Sequence, residues 1–348
     1  MTPSQGAQSV ISIGVIGCGY WGPNLIRTFA QLRDCQIVAA ADLEGERLEP
    51  IRRLYPTVRV VTSPEELLES DHIDAVAIAT PIPTHYPLAK AALRRGKHVL
   101  IEKPMTVTSQ QSEELIALAA KQKRVLMVDH TFVYSGAVRK IRDLIHSGEL
   151  GDIYYFDAVR INLGLLQRDL NVLWDLAPHD FSIMAYLIEK QPVSVSAVGA
   201  APLRWDGWQR ESIAYITVEY GDGTLAHIHV NWLSPVKIRR IVIGGSRKII
   251  VYDHLDPDNQ VKIFDKGVEA TTDQERRRML VQYRAGDMHA PKIDQTEALE
   301  VACRHFVECI QTGGTPLTDG RAGLRVVRLL EAAQQSLEAR RVITPSLV

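Results

Sequence analysis

Gly17-Cys18-Gly19-Tyr20-Trp21-Gly22 directly follows the apolar run Ile11–Ile16 and precedes the amphipathic run Pro23–Leu32. A Gly-x-Gly-x-x-Gly pattern is weak evidence by itself, but between a strand and a helix it is typical of a dinucleotide-binding turn. Small residues there let a pyrophosphate approach the N–H groups at the start of the helix. Pro23 suits the first helical turn, where its missing N–H is not needed. The stretch therefore predicts a dinucleotide site shaped by its three glycines.

Asp42 ends the next apolar run, about 20 residues after Gly22. A carboxylate at that place can accept hydrogen bonds from the adenosine ribose hydroxyls, and it repels a 2′-phosphate. We therefore expect NAD rather than NADP, although Arg47 in the following helix leaves NADP open. Capping of a helix over Leu43–Leu54 is an alternative role for Asp42, and the two roles are compatible.

Short apolar runs alternate with amphipathic segments through the first 130 residues. The runs are Ile11–Ile16, Gln36–Ala41, Val58–Thr62, Ala75–Ala79, His98–Ile101 and Val125–Val128. Apolar runs without alternation suit strands buried on both faces, and repeated β-α units imply a parallel, doubly wound sheet. We predict an α/β Rossmann domain over residues 1–130.

Beyond residue 130 the apolar segments become longer, and turn residues such as Gly221-Asp222-Gly223 and Gly244-Gly245-Ser246 separate them. Strands are predicted at Ile153–Asn162, Val193–Ala200, Ile213–Tyr220, Thr224–Trp232 and Arg239–Ile243. Helices are predicted near Ser135–Ser147, Trp174–Ile188, Gln295–Thr312 and Asp319–Glu338. This pattern indicates an α+β domain over residues 131–348, built on a large, mostly antiparallel open sheet.

The overall composition excludes several classes of partner. The 40 basic and 41 acidic residues are well mixed, so no basic face is offered to nucleic acid or anionic lipid. No stretch approaches the roughly 20 apolar residues of a membrane span, and no export signal opens the chain, so we expect a cytoplasmic protein. The four cysteines lack the spacing of metal ligands, so we expect neither a disulfide, nor structural zinc, nor another metal site.

Glu102-Lys103-Pro104 follows the fifth predicted strand, at the carboxyl edge where open α/β sheets bind their ligands. Lys103 is therefore a candidate site residue. A lysine beside a glutamate is also common as a solvated surface pair, and the spacing alone leaves both roles open.

Asp175 and His179 are four residues apart and would share one face of a helix. A histidine with a carboxylate neighbour can accept the proton of an alcohol while hydride leaves its carbon. A buried histidine near the start of a helix is the alternative. Because of Pro178, the two residues either share a helix or flank its N-terminus.

These motifs together resemble the Gfo/Idh/MocA family of oxidoreductases, over nearly the whole chain. The resemblance rests on the glycine turn, on Ala79-Thr80-Pro81 with His85, on Glu102-Lys103-Pro104 and on the Asp175/His179 pair. The family joins an N-terminal Rossmann domain to a C-terminal α+β domain. Its acidic residue seven positions after the first aspartate is Ser182 here, and Asp180 stands beside the histidine instead.

The resemblance implies that Lys103 is the catalytic lysine, that His179 is the acid/base and that Asp175 orients it or binds substrate. The expected cofactor-binding residues are Gly17, Gly19, Tyr20, Trp21, Gly22, Asp42, Thr80, Pro81, His85, Glu102 and Lys103. The expected substrate-binding residues are Lys103, Arg160, Asn162, Arg168, Asn171, Asp175 and His179, with Tyr134 and Tyr155 as weaker candidates.

The strings GCGYWGPNLIR and WDLAPHD resemble family members from lipid A and surface-polysaccharide sugar pathways. That resemblance implies a nucleotide-sugar substrate, foremost UDP-N-acetylglucosamine oxidised at C3 to the 3-keto sugar, with a sugar aminotransferase as the pathway partner. The family is commonly oligomeric through its C-terminal sheet, so we expect a homodimer or homotetramer.

Three alternatives stay open beside this prediction. The first is a dehydrogenase of a free cyclitol or hexose, such as an inositol. The second is a non-catalytic NAD-binding regulator, against which the presence of both Lys103 and His179 argues. The third is an aldose-aldose oxidoreductase with tightly held NADP, against which Asp42 argues.

Overall fold

The computed structural model of the chain describes residues 10–345, apart from residues 165, 168, 206, 208 and 270–281. The chain forms two compact units. The first contains the residues up to Tyr134 together with Thr296–Val327, and the second contains Ser135–Gln295 with the residues from Arg328 onward. Within the described ranges, none of the helices has the length and apolar character needed to cross a membrane.

A parallel sheet of six strands forms the centre of the first unit. The strands are β1 (Ile11–Ile16), β2 (Cys35–Ala41), β3 (Arg59–Val61), β4 (Ala75–Ile78), β5 (His98–Glu102) and β6 (Leu126–Asp129). Their order in the sheet is β3-β2-β1-β4-β5-β6. The central strand β4 is buried along its whole length, as the uninterrupted apolar run predicts. The predicted Rossmann architecture is confirmed.

Helices connect these strands. They are α1 (Gly22–Gln31), α2 (Glu49–Leu54), α3 (Pro64–Glu69), α4 (Ile82–Arg94) and α5 (Ser109–Gln122), with 3-10 turns at Gly45–Leu48 and Thr131–Tyr134. The strand order reverses between β1 and β4, and in doubly wound sheets the crevice at such a reversal binds the ligand. The glycine turn after β1 lies at this crevice.

An open sheet of eight strands forms the centre of the second unit. The strands are β7 (Ile153–Leu163), β8 (Pro192–Ala200), β9 (Ile213–Tyr220), β10 (Leu225–Asn231), β11 (Leu233–Gly245), β12 (Ile249–Asp253), β13 (Val261–Glu269) and β14 (Gln282–His289). Their order is β14-β13-β12-β11-β7-β10-β9-β8. Only β7 and β10 pair in parallel among these neighbours, so the predicted mostly antiparallel sheet is confirmed.

The remaining helices of the described chain are α6 (Gly136–His146), α7 (Val172–Ile188), α8 (Ala298–Thr312) and α9 (Gly320–Ala339). Helix α7 packs against β7, β9 and β10. Alternate residues of β7, including Phe156, Ala158 and Arg160, are buried. Since successive side chains of a strand point to opposite faces, this spacing gives β7 one face for the helix layer.

Residues Thr296–Val327 belong to the first unit, whereas the sequence analysis places them in the second domain. Helix α8 packs on α1, where the rings of Phe29 and Phe306 meet edge to face with centroids 6.4 Å apart. The hydroxyl of Thr318 donates to the carbonyl of Val128 on β6 at 2.6 Å. The chain therefore returns to the first sheet, which helical periodicity alone does not reveal.

Candidate active site

The glycine turn connects β1 to α1, and the fold itself requires two of its glycines. Gly17 has a φ of +95°, and a side chain there would overlap the carbonyl of Ala79. A side chain on Gly22 would overlap the carbonyl of Gly17. Both glycines therefore permit close approach of backbone to backbone.

At Gly19, backbone packing within the protein does not require a glycine. An added Cβ would meet only Nη1 of Arg47, at 3.7 Å. The turn leads directly into α1, which carries Pro23 in its first turn as predicted. Open backbone beside a helix N-terminus is the environment that a pyrophosphate needs, so the residues present fit NAD.

Replacing Gly19 with alanine is expected to weaken NAD binding by about tenfold or more, because the methyl group occupies the space left for pyrophosphate. The melting temperature should change by less than about 2 °C, since the methyl group meets no backbone atom. Titration calorimetry with NAD and scanning calorimetry measure the two effects. Gly22→Ala is the matched control and should lose stability. A Gly19→Ala variant that binds NAD as tightly as the parent would contradict this role.

Asp42 is 8% exposed and is hydrogen-bonded to the glycine turn. Its Oδ2 accepts the N–H of Cys18 at 2.7 Å, and its Oδ1 accepts the N–H of Glu44 at 2.9 Å. Arg47 places Nη1 3.8 Å from Oδ1 of Asp42 and forms an ion pair with Glu44 at 2.8 Å. The alternative role of Asp42 as a helix cap is wrong, because Glu44 precedes the 3-10 turn and Leu48 precedes α2.

Tyr20 and Trp21 occupy different environments in the glycine turn. Tyr20 is 86% exposed, whereas the indole N–H of Trp21 donates to Oδ2 of Asp129 at 3.0 Å. The two rings stack with centroids 6.4 Å apart. Trp21 thus ties the turn to the end of β6, and Tyr20 is open to a ligand.

Thr80 and Pro81 follow β4, and His85 lies beneath them in α4. His85 is 1% exposed, and its ring nitrogens lie 2.9 Å from the carbonyl of Pro104 and 2.8 Å from that of Thr80. Burial lowers the pKa of His85. His85 connects the loops after β4 and β5, so it is a positioning residue in the structure. Its direct contact with cofactor stays a prediction.

Lys103 follows β5 at the carboxyl edge of the sheet, as predicted, and is half-buried. Its backbone N–H donates to Oε2 of Glu102 at 3.0 Å, and its peptide bond to Pro104 is cis. Lys103 therefore lies in a defined loop of the same sheet edge as the glycine turn, which favours a site lysine over a solvated surface pair.

Asp175 and His179 lie on one helix of the second unit, since α7 continues through Pro178. Four residues of spacing put both on the same helical face. Oδ2 of Asp175 accepts the indole N–H of Trp232 at 3.0 Å, and Trp232 itself is 1% exposed. His179 is half-buried, and its carbonyl accepts the hydroxyl of Ser182 at 2.8 Å.

Two of the expected substrate contacts have structural partners instead. Arg160 is 4% exposed, and its guanidinium binds both carboxylate oxygens of Asp180 at 2.8 and 2.9 Å. Asn171 caps α7 through Oδ1, and its Nδ2 donates to Glu211 and Gln334, both at 2.9 Å. These partners give both side chains a structural role, because buried polar groups need partners inside the protein. Their contact with substrate stays a prediction.

The other polar candidates differ from one another in their surroundings. Asn162 is half-buried near the end of β7, while Arg168 lies outside the described residues. Tyr134 is buried and its hydroxyl lies 3.1 Å from Oγ1 of Thr318, so it belongs to the core of the first unit. Tyr155 packs over Gly244 of β11. Within the described ranges, no group of three or more potential ligands could hold a metal ion.

Sequence reasoning assigned no role to three residues that position candidate site residues within their own unit, namely Asp129 in the first unit and Asp180 and Trp232 in the second. Asp129 carried a usable signal, since it is the first carboxylate after a buried strand at the ligand-binding edge. Asp180 and Trp232 gave none, because their importance depends on partners that are distant in the chain.

Comparison with known proteins assigns both parts of the chain. Residues 11–130 match the Gfo/Idh/MocA oxidoreductase family's NAD-binding Rossmann fold, and residues 142–344 match its C-terminal alpha/beta domain. The uncharacterized oxidoreductase YdgJ of Escherichia coli is 32% identical over 72% of this chain and 73% of its own length.

Two relatives with stated activities match over nearly full length. The UDP-N-acetylglucosamine 3-dehydrogenase of Acidithiobacillus ferrooxidans is 25% identical over 94% of this chain and 97% of its own length. Its solved structure superimposes with a TM-score of 0.78 at 26% identity, covering 94% of this chain and 98% of that one. The inositol 2-dehydrogenase of Rhizobium meliloti is 25% identical over 96% of this chain and 99% of its own length.

The chain belongs to the Gfo/Idh/MocA family of oxidoreductases. Its N-terminal unit is an NAD-binding Rossmann domain, in agreement with the open backbone at Gly19 and the carboxylate of Asp42.

Proposed function

We propose that this protein is an NAD-dependent dehydrogenase of a nucleotide sugar, and that it oxidises C3 of UDP-N-acetylglucosamine to the 3-keto sugar. The main support for this substrate is the similarity to the Acidithiobacillus enzyme, which covers nearly the full length and extends through the second unit. The strings around the glycine turn and around His179 support the same choice. A sugar aminotransferase would then consume the ketone.

Lys103 and His179 have complementary roles in this proposal. The ammonium of Lys103 donates a hydrogen bond to the reacting hydroxyl and stabilises the negative charge that develops on its oxygen. The imidazole of His179 removes the hydroxyl proton. NAD, when bound, supplies the acceptor for the hydride from the carbinol carbon, so the alcohol loses one hydride and one proton in total.

Asp175 is the orienting residue of His179 in the proposal. The hydrogen bond from Trp232 holds the carboxylate of Asp175 in place on α7. A carboxylate on the same helical face supports the imidazolium that forms when His179 accepts a proton. Asn162, Arg168 and Asp175 are the foremost proposed substrate contacts, because Arg160 and Asn171 already have partners within the protein.

Oxidation of a free cyclitol is the second candidate, and the full-length similarity to the Rhizobium inositol 2-dehydrogenase favours it. It uses the same Lys103 and His179 with a smaller substrate. The two candidates differ only in what the second unit recognises.

Substrate-dependent appearance of NADH separates the two candidates. We expect NADH to form with UDP-N-acetylglucosamine, more completely when an aminotransferase and an amino donor remove the ketone. No NADH should form with myo-inositol or glucose under the same conditions. Turnover of inositol without turnover of the nucleotide sugar would replace the first candidate with the second.

We also propose that the protein is cytoplasmic and forms a homodimer or a homotetramer. One face of the second unit's sheet exposes Val198 of β8, Tyr215 of β9 and Leu225 of β10. Val198 and Tyr215 are cross-strand neighbours, and Leu225 lies further along the same face, opposite Glu219. Exposed apolar side chains on one sheet face support contact with another copy of the chain.

A further inference from the structure

Two carboxyl groups lie side by side at the carboxyl edge of the first unit's sheet. Glu102 ends β5 and Asp129 ends β6, and the two residues are direct partners in the register of these strands. Their side chains are hydrogen-bonded to each other. Asp129 is only 1% exposed, and Glu102 is half-buried beside it.

A hydrogen bond between two carboxyl groups requires one proton, because a pair of carboxylates has no donor. Asp129 already accepts two other hydrogen bonds, from Nε1 of Trp21 at 3.0 Å and from Oγ1 of Thr131 at 2.8 Å. Asp129 is therefore already an acceptor in two hydrogen bonds. Burial and the neighbouring charge of Asp129 raise the pKa of Glu102 well above its ordinary value. The proton therefore belongs on Glu102.

We propose that Glu102 is neutral at physiological pH and donates its proton to Asp129, and that this one-proton pair is a positioning device for the cofactor site. Through Trp21, the pair ties the glycine turn to the end of β6. Through Glu102, which accepts the N–H of Lys103 at 3.0 Å, it ties the same point to the Lys103 loop.

Neutrality of Glu102 also matters for Lys103. An ionised Glu102 would place a negative charge next to the ammonium of Lys103 and would weaken the attraction of Lys103 for a developing alkoxide. A protonated Glu102 has no such charge, so Lys103 retains that attraction. This last consequence rests on the proposed function, whereas the protonation of Glu102 does not.

The charged groups that act on Glu102 are Asp129 on β6 and Lys103 in its own loop. The next titratable group is His130, which is affected by Lys103 and by Arg325 of α9. Burial lowers the pKa of His130 to about 3, so His130 stays neutral near physiological pH. Glu102 is then the titrating member of this cluster.

The pH dependence of stability tests the protonation of Glu102 without cofactor or substrate. Above the ordinary glutamate pKa of about 4.3 and up to its raised value, the folded chain holds a proton that the unfolded chain has lost. Stability attributable to Glu102 therefore falls as pH rises through this window. Glu102→Gln keeps a donor for Asp129 but cannot titrate. The urea midpoint of the parent should consequently fall relative to that of Glu102→Gln between about pH 5 and pH 8.

Infrared spectroscopy of the unliganded protein gives a second readout. The carbonyl band of a protonated carboxylic acid is distinct from the carboxylate bands, and it should be present in the parent at neutral pH and absent from Glu102→Gln. Parallel urea midpoints over the whole pH range, or a parent spectrum without the band, would overturn the proposal whatever the outcome with UDP-N-acetylglucosamine.

A rescue experiment tests the positioning role. Asp129→Asn removes the neighbouring charge that raises the pKa of Glu102, while the larger cause, burial, remains. A larger fraction of Glu102 should therefore ionise beside Lys103, and we expect kcat to fall severalfold, by up to about tenfold. In the double variant Asp129→Asn/Glu102→Gln the amide cannot ionise, so part of the lost kcat should return. A purely structural role for Asp129 predicts that the double variant is no faster than Asp129→Asn, and that result would contradict the positioning device.

Discussion

Lys103→Ala is expected to lower kcat by about 10²–10³-fold, because the variant has no cation to stabilise the alkoxide that forms at the reacting hydroxyl. Binding of NAD should change by less than about threefold, since the glycine turn and Asp42 supply the main contacts for the dinucleotide. Steady-state kinetics and titration calorimetry measure the two quantities. A small alkylammonium ion added to Lys103→Ala should restore part of the lost rate.

Lys121 of α5 provides the matched control, because it is an exposed lysine on the same unit. Lys121→Ala should match the parent in both measurements. If Lys103→Ala binds NAD normally and turns over as fast as the parent, then Lys103 is not the catalytic lysine. The proposed chemistry would then be wrong even if the substrate is right.

Arg160→Met is expected to lower the free energy of unfolding by about 3–5 kcal/mol, because it leaves the carboxylate of Asp180 buried without its cation. The side chains of this ion pair are only 4% and 2% exposed, and the pair anchors α7 to β7. Since α7 carries Asp175 and His179, the variant should also lose activity. Urea unfolding of the second unit measures the stability.

An exposed ion pair in the same unit offers the comparison. Arg240 pairs with Asp253 with side chains 53% and 21% exposed, so Arg240→Met should change the free energy of unfolding by only about 0–1 kcal/mol. The double variant Arg160→Met/Asp180→Leu should recover most of the stability lost by Arg160→Met, since it buries no unpaired charge. A double variant as unstable as the single one would mean that Arg160 stabilises the fold by packing rather than by charge.

The parts of the fold that sequence predicted well are those whose signals are local. The strand β1, the glycine turn and α1 lie within about 20 consecutive residues, and the apolar run, the glycines and Pro23 each constrain the same backbone. The assignment of Thr296–Val327 could not be predicted in this way. A helix such as α8 has an apolar face whether it packs on the first sheet or on the second.

In the candidate site, too, the sequence predicted the residues whose signal is local and did not reveal contacts between distant residues. Asp42 and Lys103 were found because each follows a buried strand, and parallel strands bring their carboxyl ends to one edge. Arg160 and Asn171 were predicted as substrate contacts because polar residues near a loop have the same appearance in sequence whether they meet a ligand or a buried partner. Only the positions of Asp180, Glu211 and Gln334 reveal that Arg160 and Asn171 already form hydrogen bonds within the protein.

By itself, the sequence determined a doubly wound nucleotide-binding domain, an antiparallel second domain and the residues at the ends of the strands, because backbone preferences and hydrophobic periodicity act between neighbours in the chain. The tertiary structure alone decided which of the polar residues are buried and paired. The bonds from Trp21 to Asp129 and from Trp232 to Asp175 join residues far apart in the chain. These hydrogen bonds depend on that proximity, which no local pattern encodes.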